Sequence, residues 1–165
     1  MNKIKNDEME KYAEIVGNYR YLLGRKWDEN LQKVTFVMLN PSTADQKNDD
    51  PTLRKCIHFA KYWGYGSLEV VNLFAYRATN PRELCQVDEP IGKQNDDYIK
   101  LAIKNTSLII LAWGTKGSFN NRDQEVINLI YDHNSLYCLG LTKYGYPRHP
   151  LYVKKDTQAI IFTQN

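Results

Sequence analysis

Four short, largely apolar segments recur along this chain: Val34–Leu39 (VTFVML), Leu68–Phe74 (LEVVNLF), Leu108–Trp113 (LIILAW) and Leu136–Leu141 (LYCLGL). Each is too short for a buried helix and too continuously apolar for a strand with one wet face. Such segments read as strands covered on both sides. The stretches between them carry helical spacing. Asp50-Pro51 opens the first helix, with Asp as cap and Pro at the first helical position. Leu53, Cys56, Ile57, Ala60 and Trp63 then share one face, and Gly64 and Gly66 end it. A second helix spans Asn95–Asn105, burying Tyr98, Leu101 and Ala102. A third spans Asn121–Asp132, burying Val126, Ile127, Leu129 and Ile130.

Strands alternating with helices predict parallel strands joined by helical crossovers. The expected fold is a three-layer α/β/α sandwich around a central four-stranded, mainly parallel sheet. Tyr19–Gly24 (YRYLLG) reads as a further strand leading into a polar turn at Arg25–Lys33. The 165 residues form a single domain, 1–165, whose 42% hydrophobic and 25% charged residues exclude disorder and fibrous repeats.

The net charge of +3 is too mild to imply a nucleic-acid partner by itself. Cys56, Cys85 and Cys138 are odd in number and widely spaced, which fits reduced, buried thiols in a cytoplasmic protein. The charged segment Met1–Glu14 has no apolar core of a signal peptide, and no apolar run approaches a membrane span. No Walker A or GxGxxG sequence is present, and His58, His133 and His149 lie far apart. No cofactor and no metal is therefore expected.

In a parallel sheet, ligands gather beyond the carboxyl ends of the strands. Here those ends carry Asn40-Pro41-Ser42-Thr43-Ala44-Asp45, Asn72 running on to Arg77, Trp113-Gly114, and Thr142-Lys143 leading to YGYPRHPLY. Asn72 interrupts VVNLF and should be largely buried. Its amide donates and accepts at once, which suits the edge of a nucleobase, or ties down a neighbouring loop. His149 sits between two prolines that stiffen its loop; it presents its ring to a ligand or caps a carbonyl. Asn40 precedes a proline and is either a site residue or a turn former. Trp113 suits a base pocket or the core. Asp45 is a candidate for orienting water or substrate, whereas Asp49 and Asp50 fit a solvated loop and a helix cap. Lys143, Arg148, Lys154 and Lys155 interleave with Tyr144, Tyr146 and Tyr152. Cations among aromatic faces suit a single-stranded or extruded nucleotide, or form a solvated loop.

The segments FVMLNPSTAD, EVVNLFAYRAT, ILAWG and LGLTKYGYPRHPLY resemble the bacterial and phage domain-of-unknown-function family 1643, across roughly Tyr19 to Val153. The order of motifs is also similar, more distantly, to the uracil-DNA glycosylase superfamily. That resemblance implies a parallel sheet with a nucleobase pocket at its strand ends. It aligns Asn40-Pro41 with the first motif, Asn72 with the pyrimidine-reading Asn, Trp113-Gly114 with the third motif and His149-Pro150 with the last. Asn40, Asp45 and His149 would then be catalytic. Pro41, Ser42, Asn72, Trp113 and Gly114 would bind the base, and Arg77, Lys143 and Arg148 the phosphates. The expected function is an N-glycosylase acting on a modified or mismatched base in DNA or on a nucleotide. The alternative is a non-catalytic nucleotide- or nucleic-acid-binding module. After His149-Pro150 the chain reads Leu-Tyr-Val, without the Ser-Pro-Leu segment that wedges into a duplex.

Overall fold

The computed structural model describes residues 9–131 and 135–164. Among the described residues seven strands form one sheet: β1 (Glu10–Val16), β2 (Tyr19–Lys26), β3 (Lys33–Met38), β4 (Ser67–Asn72), β5 (Leu108–Leu111), β6 (Leu136–Cys138) and β7 (Ile160–Ile161). Among the same residues are three α-helices: α1 (Pro51–Tyr62), α2 (Asn95–Lys104) and α3 (Arg122–Ile130). The strand order is β1-β2-β4-β3-β5-β6-β7. Pairs β3/β4, β3/β5 and β5/β6 are parallel, and β1/β2, β2/β4 and β6/β7 are antiparallel.

The sheet is thus mixed and larger than the four strands expected. The four apolar segments all became strands. The additions lie at the two edges, where one face of a strand stays wet and the apolar signal weakens. β1 is largely exposed along EKYAEIV, and β7 is a two-residue strand with both residues exposed. β2 runs on through Arg25 and Lys26, which were assigned to a turn. The sequence hides this because Arg25 is a charged residue that the fold buries completely.

Helices cover both faces. On one, α1 packs Leu53, Cys56, Ile57, Phe59 and Ala60 against Val34, Phe36, Met38, Leu68, Val70 and Ile110. On the other, Ile99, Ala102 and Ile103 of α2 and Val126, Ile127 and Ile130 of α3 meet Val37, Val71, Ile109 and Leu111. The alternation within each strand distributes its residues between the two cores. Burying a single Leu or Ile of this kind contributes about 1.5–3 kcal/mol.

Local chemistry sets the helix ends. Asp50 accepts a hydrogen bond from the Leu53 N–H at 2.8 Å, and Pro51 follows. Trp63 closes α1, and Gly64 turns the chain away with φ +84°. The third helix starts at Arg122 rather than Asn121, because Asn120 and Asn121 both adopt left-handed backbone, φ 54° and 56°. Asp132, the expected end of this helix, and His133 lie outside the described residues. Cys56 and Cys138 are buried, but Cys85 is exposed, because it sits on a short 3-10 turn, Pro81–Gln86, at the surface. Among the described residues no helix is long and apolar enough to cross a membrane.

Candidate functional site

Strands β3, β4 and β5 are in register as parallel neighbours, so their C-terminal ends fall on one edge. Beyond that edge, on the α1 side, lies a cavity of about 590 Å³. Asn40 and Ser42 reach it from the loop after β3, Trp113 and Gly114 from the end of β5, and His149 from the loop after β6. These five residues were singled out from three separate segments of sequence, and the fold brings them to one concavity. Arg20, Met38, Ala78, Asp50, Lys116 and Tyr152 complete much of the remaining wall.

Each wall residue is fixed by identifiable bonds. The Asn40 amide nitrogen donates to the carbonyls of Ala78 at 2.8 Å and Pro41 at 3.1 Å. Among the described residues this leaves Oδ1 as the group of that side chain without a protein partner. Gly114 has φ 75° and ψ −165°, a conformation that only glycine adopts readily. Its N–H donates to the Pro147 carbonyl at 2.9 Å, tying the Trp113-Gly114 segment to the loop that carries His149. Trp113 is buried, and its Nε1 has no hydrogen-bond partner among the described residues.

His149 caps the 3-10 turn Pro150–Tyr152, its Nδ1 accepting from the Leu151 N–H at 3.3 Å. A ring nitrogen that accepts carries no proton, so the neutral imidazole holds its proton on Nε2. Burial lowers the His149 pKa below its ordinary value, with the Asp50 carboxylate pulling the other way. The ring is therefore a neutral donor near pH 7.

Arg20 was not anticipated. It is 3% exposed, and Nη1 donates to the Ala44 carbonyl at 2.9 Å. Burial pushes its pKa down to about 10; Asp50 opposes this, and Arg77 and Arg25 add to it. A β-bulge places it. Glu14 pairs with Leu22 and Ile15 pairs with Arg20, so Tyr21 is an extra residue in β2. Tyr21 stacks on Tyr98 of α2 and Leu22 joins the core on that side, while Arg20 turns to the cavity. The only trace in the sequence is a cation inside YRYLLG. Asp50 was read as a helix cap, which it is, but it also lines the cavity.

The other predicted residues lie elsewhere. Asn72 is 1% exposed, and among the described residues neither polar atom of its side chain has a partner. It ends β4 opposite Met38, buried, and is not part of the cavity wall. Pro41 is buried beside the wall and accepts the Ala78 N–H at 2.9 Å. Asp45 closes a turn, accepting from the backbone N–H groups of Lys47 and Asn48, and these bonds lower its pKa. It is not in the wall. Arg77 holds the same loop through the Ser42 carbonyl at 3.3 Å. Lys143 lines a second cleft of about 600 Å³ on the far side of Trp113. Arg148 is exposed and donates to the Leu141 carbonyl at 3.1 Å. Among the described residues no three His, Cys, Asp or Glu side chains gather as a metal site.

Residues 20–151 match the family described as "Protein of unknown function (DUF1643)", and the chain belongs to it. No curated protein and no solved structure matches the chain.

Proposed function

We propose that the protein is a nucleobase-recognising N-glycosyl hydrolase, acting on a modified or mismatched base in DNA or on a nucleotide. The observation that carries this reading is the convergence of Asn40, Trp113, Gly114 and His149 on one cavity of about 590 Å³. A volume of that order suits a base with its sugar. The four central parallel strands, with the cavity beyond their ends, support the finer likeness to the uracil-DNA glycosylase superfamily.

Hydrolysis breaks the bond between the base nitrogen and the sugar's anomeric carbon. The bonding pair leaves with the base, and positive charge develops on the sugar. Water supplies hydroxide to that carbon, and its proton ends on the base or in solvent. His149, a neutral Nε2–H donor, meets the oxygen of the departing base. A fixed donor of this kind contributes about 2.7–4 kcal/mol to transition-state stability. Asn40 Oδ1 is available to accept a hydrogen bond from the water. An amide cannot remove a proton, so bond breaking precedes attack. Asp50 is the carboxylate that the described residues place in the cavity wall, and it favours the developing positive charge. Asp45, held in its turn, is not positioned as a base. Tyr152 at the cavity, with Tyr144, Lys143 and Arg148 on the adjoining loop, offers exposed aromatic and cationic groups to a nucleic-acid strand.

A single-turnover assay on oligonucleotides carrying uracil, hypoxanthine or modified pyrimidines, and on free nucleotides, tests this reading. Free base and an abasic product are expected, reduced at least 100-fold in His149→Ala. The second reading, a binding module without cleavage, is favoured by the position of Asp45 and the engaged amide nitrogen of Asn40. Saturable nucleotide binding with no product across the panel would decide for it.

A further inference from the structure

The second cleft, of about 600 Å³, holds a carboxylate that the proposed reaction does not use. Asp123 stands in the first turn of α3 and is 6% exposed. Its Oδ1 accepts the Gln124 N–H at 2.8 Å. Among the described residues Oδ2 has no protein donor and no cation pairs with it, yet this oxygen keeps accessible surface. Asp123 lines the cleft, so that surface opens there. Burial raises its pKa above the ordinary carboxylate value, against the pull of the Gln124 and Asp123 N–H groups. A desolvated carboxylate with one oxygen engaged and one open is an acceptor for an N–H that a ligand brings.

The rest of the wall narrows the ligand. Lys143 lines the same cleft without pairing to Asp123, its Nζ lying 5.7 Å from the centroid of the exposed Tyr144 ring. The cleft thus presents an open acceptor, a cation and an aromatic face. A nucleotide whose base bears an exocyclic amino group meets all three, with its amino N–H, its phosphate and its flat ring. A simple amine would satisfy Asp123 and leave Lys143 and Tyr144 unused. Trp113 borders this cleft and the first cavity alike, and the loop 141–152 runs from one to the other. Along it Lys143, Tyr144, Arg148 and Tyr152 are exposed, which suits a strand that enters both.

We infer that the second cleft binds the nucleotide next to the target base in a single strand, and that Asp123 selects a neighbour with an exocyclic amino group. The inference rests on the nucleobase reading above and makes its substrate a strand.

The test is binding of short single strands to the full chain by titration calorimetry. Each strand carries the same central base, uracil or hypoxanthine. Its flanks on both sides are cytosine, adenine, thymine or cytosine dimethylated at its amino group. The free 5′-monophosphates of the same bases complete the set. Cytosine and adenine flanks should bind about ten-fold more tightly than thymine, as one hydrogen bond to a charged acceptor implies. Dimethylation removes both N–H donors and should cost about the same factor on the unaltered protein, which avoids any question of folding. Asp123→Asn keeps an oxygen for the Gln124 N–H and turns the open position into a donor. It should reverse the order in favour of thymine, whose O4 accepts. Strands that bind without a flank preference, or with one that survives either dimethylation or Asp123→Asn, overturn the role of Asp123 and leave the nucleobase reading standing. Monophosphates binding as tightly as strands would mean that no neighbouring nucleotide is held, and overturn the inference in the same way. Failure of every strand and monophosphate to bind overturns the nucleobase reading itself, and this inference with it.

Discussion

Asn40 and Ala78 are joined across 38 positions of sequence by the Asn40 amide nitrogen donating to the Ala78 carbonyl at 2.8 Å. This bond, with its companion to Pro41, makes Asn40 a clamp between the loop after β3 and the loop after β4. It also aims Oδ1 away from those carbonyls. Asn40→Asp replaces the two donors with a carboxylate facing two carbonyl oxygens. Urea unfolding should show a loss of about 1–3 kcal/mol. Unchanged stability would mean that the amide does not hold this loop.

Asn72 should show the opposite sign. A buried amide with no partner for either polar atom costs stability wherever it is retained. Asn72→Leu keeps a similar volume and removes both unpaired groups. The midpoint of thermal unfolding should rise, corresponding to about 1–3 kcal/mol. A fall in the midpoint would mean that the buried amide is bonded in the folded protein.

The His149 pKa is lowered by burial from its ordinary 6.5, which fixes the sign of a pH effect. Between the folded pKa and about 6.5 the unfolded chain binds a proton that the folded ring resists. The associated stability is fully present above about pH 6.5 and is lost as pH falls through the lower folded value. Urea unfolding from pH 7 down to about pH 5 should show a steeper loss for the parent protein than for His149→Gln. His58 and His133 are present in both proteins, so the difference isolates residue 149. Parallel curves would contradict the burial argument.

Gly117 and Trp113 are packed too closely for any side chain at 117. A Cβ there would lie 2.1 Å from Trp113 Cδ1 and 2.6 Å from its Nε1. Gly117→Ala must therefore displace the indole, which forms part of the wall of both clefts. A stability loss of about 1–3 kcal/mol is expected, with a shift in tryptophan emission and weaker nucleotide binding. Retained emission and affinity would show that the 3-10 segment Thr115–Asn121 moves instead of the ring.

Much of this molecule was legible in its residues because apolar periodicity is a local property. The four central strands, α1 with its Asp50 cap, and the mixed α/β class all follow from spacing and capping chemistry within short windows. So does the grouping of Asn40, Trp113, Gly114 and His149, since parallel strands carry their ends to one edge. The edge strands β1 and β7 were not legible, because exposed residues in them carry no buried pattern. Nor was the separation of Asp45 from the cavity, which depends on where its carboxylate finds backbone N–H donors. Arg20 shows the limit most clearly. Side-chain direction along a strand has period two, so one extra residue at Tyr21 reverses it. The composition of YRYLLG does not reveal that bulge; pairing with β1 creates it. Spacing determined which segments became strands and helices, and three-dimensional pairing alone decided which face received the guanidinium.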